Sequence, residues 1–333
     1  MKVKIYLLLF LSVSFSSLFA QKTVEKGIHS ITENGAKAAI SFLASNALEG
    51  RGAGTHGGKV ASEFLASYLM SLGIQPLGDS YYQNFEAYNE DFQSRKRYSI
   101  EPDSIAKYKQ GVHRVLKMRN VLGIIPGLKT NEYVIVGAHF DHLGIDKNLA
   151  NDQIYNGADD NASGVSAVMQ IAKAFVENGI RPERSVIFAF WDGEELGLLG
   201  SKYFVKNCNF IKQVKGYLNF DMIGRNTDEA NPSYVIYFYS QNHPVFEKWS
   251  KEDIQKYDLE ITPEYRPSDN NLGGSDNVSF AKANVPIIWY HTDGHPDYHK
   301  PSDEVNKINW SKLVDITKAS FLNLWNLANE KSY

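Results

Sequence analysis

Acidic and imidazole side chains gather where the apolar runs of this chain end. His139 and Asp141 close the run EYVIVGAHF, with His142 directly behind them. Asp159 and Asp160 lie in NGADDNASG, just ahead of a helical pattern. Glu194 and Glu195 follow RSVIFAFWD, Asp221 ends GYLNFD, and His299 stands in HPDYHKPSD shortly after VPIIWYH. Each piece alone is ordinary: paired acids before a helix are often N-caps, two glutamates after a strand make a solvated turn, and a single histidine is seldom a ligand. Together they are not ordinary. So many carboxylates at one place repel one another unless a cation neutralises them. Imidazole and carboxylate donors without thiolates suit Zn²⁺.

The runs that must position these groups alternate with helical patterns. RNVLGIIPG, EYVIVGAHF, RSVIFAFWD, GYLNFDMIG, YVIYFYS and VPIIWYH read as strands. KVASEFLASYLMSLG places Val60, Phe64, Leu65, Tyr68, Leu69 and Leu72 on one helical face, stopped by Gly73. DNASGVSAVMQIAKAFVENG turns Val165, Val168, Met169, Ala172 and Phe175 inward and ends at Gly179. GLLGSKYFVKN and NWSKLVDITKASFLNLWNLANE supply further helices, and the span from about 86 to 118 reads as polar and turn-rich. Apolar strands interleaved with helices predict an α/β fold with a mostly parallel central sheet flanked by helices on both faces. Ligands of such sheets bind at the carboxyl edge. Strands that end in titratable residues would deliver them there.

Composition narrows the class. The chain has 333 residues, with 35 Lys and Arg against 38 Asp and Glu. That near-neutral balance, without a long basic run, argues against a nucleic-acid surface. Lys2 and Lys4, an apolar run and the small residue Ala20 describe a secretory signal peptide over residues 1–20, cut before Gln21. The run is shorter than the roughly 20 residues needed to span a bilayer, so no stable membrane insertion is expected after cleavage. The expectation is an exported protein, periplasmic or extracellular. Cys208 stands alone, which rules out an intramolecular disulfide. The glycine-rich LEGRGAGTHGG lacks a preceding strand and a GK[ST] ending, so it does not read as a phosphate cradle. Oligomeric partners are left open.

AHFDHLG, GADDNASG, WDGEELGLLGS, NFDMIGR and DYHKPSDEVNKI resemble, in order, the motifs of the di-zinc exopeptidases. That family includes bacterial secreted aminopeptidases, glutamate carboxypeptidase II and the transferrin receptor. The upstream FLASNALEGRGAGTHGGKVASEFLASYLMSLGIQPLGD is similar to the N-terminal region of the bacterial members. The resemblance implies a phosphorylase/peptidase-like sandwich forming a single catalytic domain over residues 21–333. The span 86–118 is too short for the protease-associated insert of longer relatives. It implies two zinc ions per chain, with His139, Asp160, Glu195, Asp221 and His299 as ligands and Asp160 as the bridge. Asp141 then orients His139, Glu194 is the general base that deprotonates the attacking water, and Tyr298 stabilises the oxyanion. His142 has no role in that scheme and reads as a supporting or structural histidine.

The activity this implies is N-terminal trimming of peptides. Glutaminyl cyclases share the fold and use a single zinc, and binding proteins keep the fold without its ligands. A carboxypeptidase would need a basic group for the substrate carboxylate, for which Arg225 and Arg266 are the nearest candidates.

Overall fold

The computed structural model describes residues 24–90, 98–268 and 274–333. The expected signal peptide over residues 1–20 lies outside them. Among the described residues no helix is long and apolar enough to cross a membrane.

The strands are β1 (Gln75–Pro76), β2 (Tyr82–Asn89), β3 (Arg114–Ile125), β4 (Lys129–His139), β5 (Arg184–Trp191), β6 (Val214–Phe220), β7 (Tyr234–Tyr239), β8 (Thr262–Pro267) and β9 (Ile287–His291). They join in one sheet in the order β1-β3-β5-β4-β6-β9-β7-β8, with β2 also paired to β3. The centre, β5-β4-β6-β9, is parallel throughout. Antiparallel pairs build the flanks, β1, β2 and β5 on β3 and β7 on β9. The edge pair β7 and β8 is parallel again, and the strands that carry the acids and imidazoles form the continuous parallel centre.

Burial on both faces explains why the central strands are almost continuously apolar. Val134, Val136 and Ala138 of β4 point into the larger core, while Ile135 between them points into the smaller one. The larger core is closed by α1 (Glu33–Leu43), α2 (His56–Ser71), α4 (Gly164–Asn178) and α8 (Trp310–Asn329), and the smaller by α5 (Leu199–Asn207) and α7 (Asn277–Lys282). α6 (Val245–Lys256) also lends Phe246 to the larger core, whereas α3 (Pro102–Tyr108) buries no residue. Gly179 ends α4 at φ 74°, the left-handed cap that glycine adopts at least cost.

The polar-looking span near residues 86–118 is more regular than its sequence suggests. β2 and the first eight residues of β3 pair antiparallel, Tyr82 opposite Val121 to Asn89 opposite Arg114. Half of this ribbon faces solvent, so charged and apolar residues mix along it and the strand signal is weak.

Register at the sheet centre aligns the strand ends. Ala138 sits beside Phe220, His139 beside Trp191, and Phe220 beside Tyr290. The residues that follow, Asp141, Asp192 to Glu195, Asp221 and His291, therefore emerge together at the carboxyl edge.

One acid away from that edge gives a stability prediction. Asp253 on α6 accepts from Asn326 Nδ2 at 3.1 Å, and burial pushes its carboxyl up to about 7. The native state therefore takes up a proton between the unfolded value near 3.9 and pH 7, and this contribution to stability falls as pH rises through that window. Asp253→Asn is expected to stabilise the fold by about 2 kcal/mol at pH 8 and by almost nothing at pH 4. Urea unfolding at the two pH values checks this; equal effects at both would show that the carboxyl titrates normally.

Candidate active site

Asp160 lies at the middle of the edge cluster. Its Oδ1 is 3.4 Å from His139 Nε2, and its Oδ2 is 3.3 Å from His299 Nε2. Asp221 Oδ1 stands 3.5 Å from the same His139 nitrogen, and Glu195 Oε2 3.2 Å from the His299 nitrogen. Two donor groups share Asp160, one with His139 and Asp221, the other with Glu195 on the side of His142 and His299. All five residues expected to bind metal are brought together, with Asp160 facing both sides.

Asp141 is fully buried beside His139, but its carboxylate lies 3.7 Å from Nδ1 while its backbone oxygen is closer, at 3.1 Å. The carboxylate instead accepts the backbone N–H groups of Glu194, at 3.0 Å, and Glu195, at 3.3 Å. It ties the end of β4 to the turn after β5. His142, also buried, offers Nδ1 to Glu195 Oε1 at 2.8 Å, and its Nε2 has no partner. This histidine thus holds the oxygen of Glu195 that His299 does not approach.

Asp159 and Asp160 are neighbours with opposed tasks. Asp159 Oδ1 accepts the Gly224 N–H at 2.6 Å, and its Oδ2 lies 3.3 Å from the buried His295. No capping bond runs from it to α4; the acid braces the loop. Asp303 accepts the N–H groups of both residues, at 3.0 Å in each case, and burial raises its carboxyl to about 6.

The electrostatics are those of a crowded acidic floor. Burial raises the Glu194 carboxyl well above its ordinary value, and Asp221 and Glu195 add to the rise against the pull of His139. Burial also works upward on Glu195, but hydrogen bonds to His142 and His299 outweigh it and hold that carboxyl below the usual range. Burial works downward on His299, yet Asp160 and Glu195 lift it to about 10. Such opposed shifts mark groups competing for too little positive charge. Imidazole and carboxylate donors in two sets that share one aspartate fit divalent cations of the zinc type. Cys208, half-buried, packs against the smaller core instead.

Above this floor opens a cleft of about 660 Å³, lined by Asp160, Glu194, Glu195, Asp221, His299 and Tyr298. Its walls add Leu196, Leu198, Met222, Trp289 and His291, none of which the sequence singled out. Their available signal is position: Leu196 and Met222 directly follow an acid of the cluster. Tyr298 stacks on His299 with ring centroids 3.8 Å apart. The two arginines considered for a substrate carboxylate are elsewhere. Arg225 is 8% exposed and pairs with Asp297 at 2.9 Å, and Arg266 pairs with Glu264 on β8.

Residues 120–322, well over half the chain, match Peptidase family M28. The chain belongs to this family. As an M28 member it is 30% identical over 230 residues to leupeptin-inactivating enzyme 1 of Streptomyces exfoliatus, covering 62% of this chain and 48% of that one. It thus spans about half the length of that relative. The fold is similar to that of BSAP, a zinc aminopeptidase from Bacillus subtilis, with a TM-score of 0.68 at 16% identity, covering 91% of this chain and 97% of the other. It is also similar to a Bacteroides thetaiotaomicron glutaminyl cyclase bound to N-acetylhistamine, with a TM-score of 0.64 at 18% identity, covering 89% and 98%. At these identities the two structures speak for the fold alone.

Proposed function

We propose that the chain is an exported, zinc-dependent exopeptidase that removes N-terminal residues from peptides. The observation that carries the reading is the cleft itself: its floor is a ring of acids, and among the described residues its lining contains no lysine or arginine. The lining therefore offers no cationic side chain to hold a substrate's C-terminal carboxylate, which a carboxypeptidase requires. The names of the relatives, a leupeptin-inactivating enzyme and a zinc aminopeptidase, support the same chemistry. Export rests on the signal-like residues 1–20, and a single catalytic domain over 21–333 completes the reading.

In this scheme His139, Asp160 and Asp221 would hold one zinc, and Asp160, Glu195 and His299 the other. Bound zinc supplies Lewis acidity toward the scissile carbonyl and lowers the pKa of water. The chain's own residues do the rest. Glu194, in a floor of low dielectric, accepts the water proton on its carboxylate and delivers it to the leaving amine. Burial raises the Tyr298 hydroxyl above its usual range, so it stays protonated as a donor to the developing oxyanion. Asp141 holds Glu194 and Glu195 by their backbones, and His142 holds Glu195 by one oxygen. The ligand set overlaps with that of the single-zinc cyclases, so a count of two bound zinc ions per chain is what would favour hydrolysis over cyclisation.

The test is purified protein offered a free-amine peptide, its N-acetyl form and a peptide with N-terminal glutamine. Loss of one charge-assisted contact costs about 1.5–3 kcal/mol, so the acetylated peptide should be cut at least tenfold more slowly. Chelation should stop all turnover. Equal cleavage of the blocked peptide, trimming from the C-terminus, or cyclisation of glutamine without hydrolysis would each overturn the proposal.

A further inference from the structure

The glycine-rich stretch around Arg51 has no part in the chemistry above, and it lies outside the segment that matches the family. Its conformation is nonetheless tightly specified. Glu49, Gly50 and Arg51 all have positive φ, and a Cβ on Gly57 would lie 1.7 Å from the Leu48 oxygen. The result of this folding is a guanidinium only 1% exposed that donates to backbone carbonyls alone. Nε reaches Phe140 at 2.9 Å, Nη1 reaches Leu43 at 2.5 Å and Asn156 at 2.6 Å, and Nη2 reaches Gly157 at 3.0 Å and Asp160 at 3.5 Å.

Those carbonyls are not scattered. Phe140 stands between His139 and Asp141, and Asn156 to Asp160 form the loop that presents the shared aspartate. The backbone answers in the other direction, with His142 N–H donating to Arg51 O at 3.2 Å and Gly144 N–H to Gly50 O at 3.0 Å. Burial lowers the guanidinium to about 10, and Asp160, Asp303, Asp141 and Glu195 pull it back upward. It stays charged at neutral pH. Because it is spent on carbonyl dipoles and not on one carboxylate, its charge acts on the acid cluster as a whole.

We infer that Arg51 is a positioning residue: it locks the end of β4 to the Asp160 loop and places a permanent cation beneath the acids, assembling the donor set before zinc arrives. A fixed fork of five N–H donors suits this task, and an ammonium with three does not. The inference rests on the reading of the cluster as a zinc site.

The experiment compares wild type, Arg51→Lys and Arg51→Met by chelator-competition titration of zinc and by melting with and without zinc. If the wild type takes up no zinc, the reading of the site fails and not this inference alone. With wild-type binding in hand, folded Arg51→Lys should bind zinc about 10–100-fold more weakly, the range for lost support behind ligands, and Arg51→Met more weakly still. A purely structural arginine would lower the melting point and leave zinc affinity within twofold, and that result overturns the inference. Should neither variant fold, hydrogen exchange of chelated wild type decides. Segments 139–142 and 157–161 are expected to keep their protection; its loss there alone, with the sheet still protected, would show that zinc and not Arg51 assembles the site.

Discussion

Glu194→Gln is expected to fold, to hold its zinc and to turn over peptide about 10²–10⁴ times more slowly than the wild type. The carboxyl sits on the cleft floor, raised in proton affinity by burial and by Asp221 and Glu195, which suits a group that must take a proton and return it. Gln is nearly isosteric and accepts no proton. The neighbouring change should behave differently. Glu195 faces His299 at 3.2 Å and His142 at 2.8 Å; Glu195→Gln replaces an anionic donor by a neutral one and should lose zinc on that side. Steady-state rates together with elemental analysis separate the two. Near-normal turnover in Glu194→Gln, or zinc loss equal to that of Glu195→Gln, would reverse the assignment.

Asp160→Asn should be more damaging still, because both donor groups depend on it. One oxygen faces His139 and the other His299, and a neutral amide offers one weak acceptor where a carboxylate offers two. Turnover should fall by more than about 10³, beyond the cost of losing one preorganised donor. The thermal readout is independent of activity. Zinc at about 1,000 times its dissociation constant stabilises a native protein by about 4 kcal/mol, so the wild type should melt higher with zinc than with chelator, and Asp160→Asn at the same temperature in both. A full zinc-dependent rise in the variant would mean that the shared carboxylate is not what holds the ions.

The sheet centre was legible because its strands are buried on both faces and end abruptly in titratable residues. A strand such as EYVIVGAHF has few alternatives once His139 follows six apolar or small neighbours. The flanks were not legible for the opposite reason. β2 and the start of β3 are half exposed, so Lys117 and Arg119 alternate with Leu116 and Met118 and dilute the pattern. β8 carries Pro263 and Pro267, which an edge strand tolerates and a central one does not. Within the site, side-chain identity revealed the donors but not their supports. Arg51 bonds carbonyl oxygens, which every residue possesses, so no spacing of residue types betrays it. Asp159 and Asp160 are chemically the same, and only the loop's path aims one at the donors and the other at Gly224.

The register that sets Phe220 beside Tyr290 also has a consequence for the life of the chain. Arg51, His139, Asp160, Asp221 and His299 arrive on separate segments, and the His299 loop reaches the others only when β9 has closed onto β6. Contacts of such long sequence separation form late and slowly. Under the proposed assignment no contiguous piece of the chain carries the whole donor set, so hydrolytic competence is expected only after the sheet has closed. For the N-terminal trimming proposed above, premature activity would find substrates among the chain's own unfinished copies. The topology postpones that hazard until the enzyme has folded.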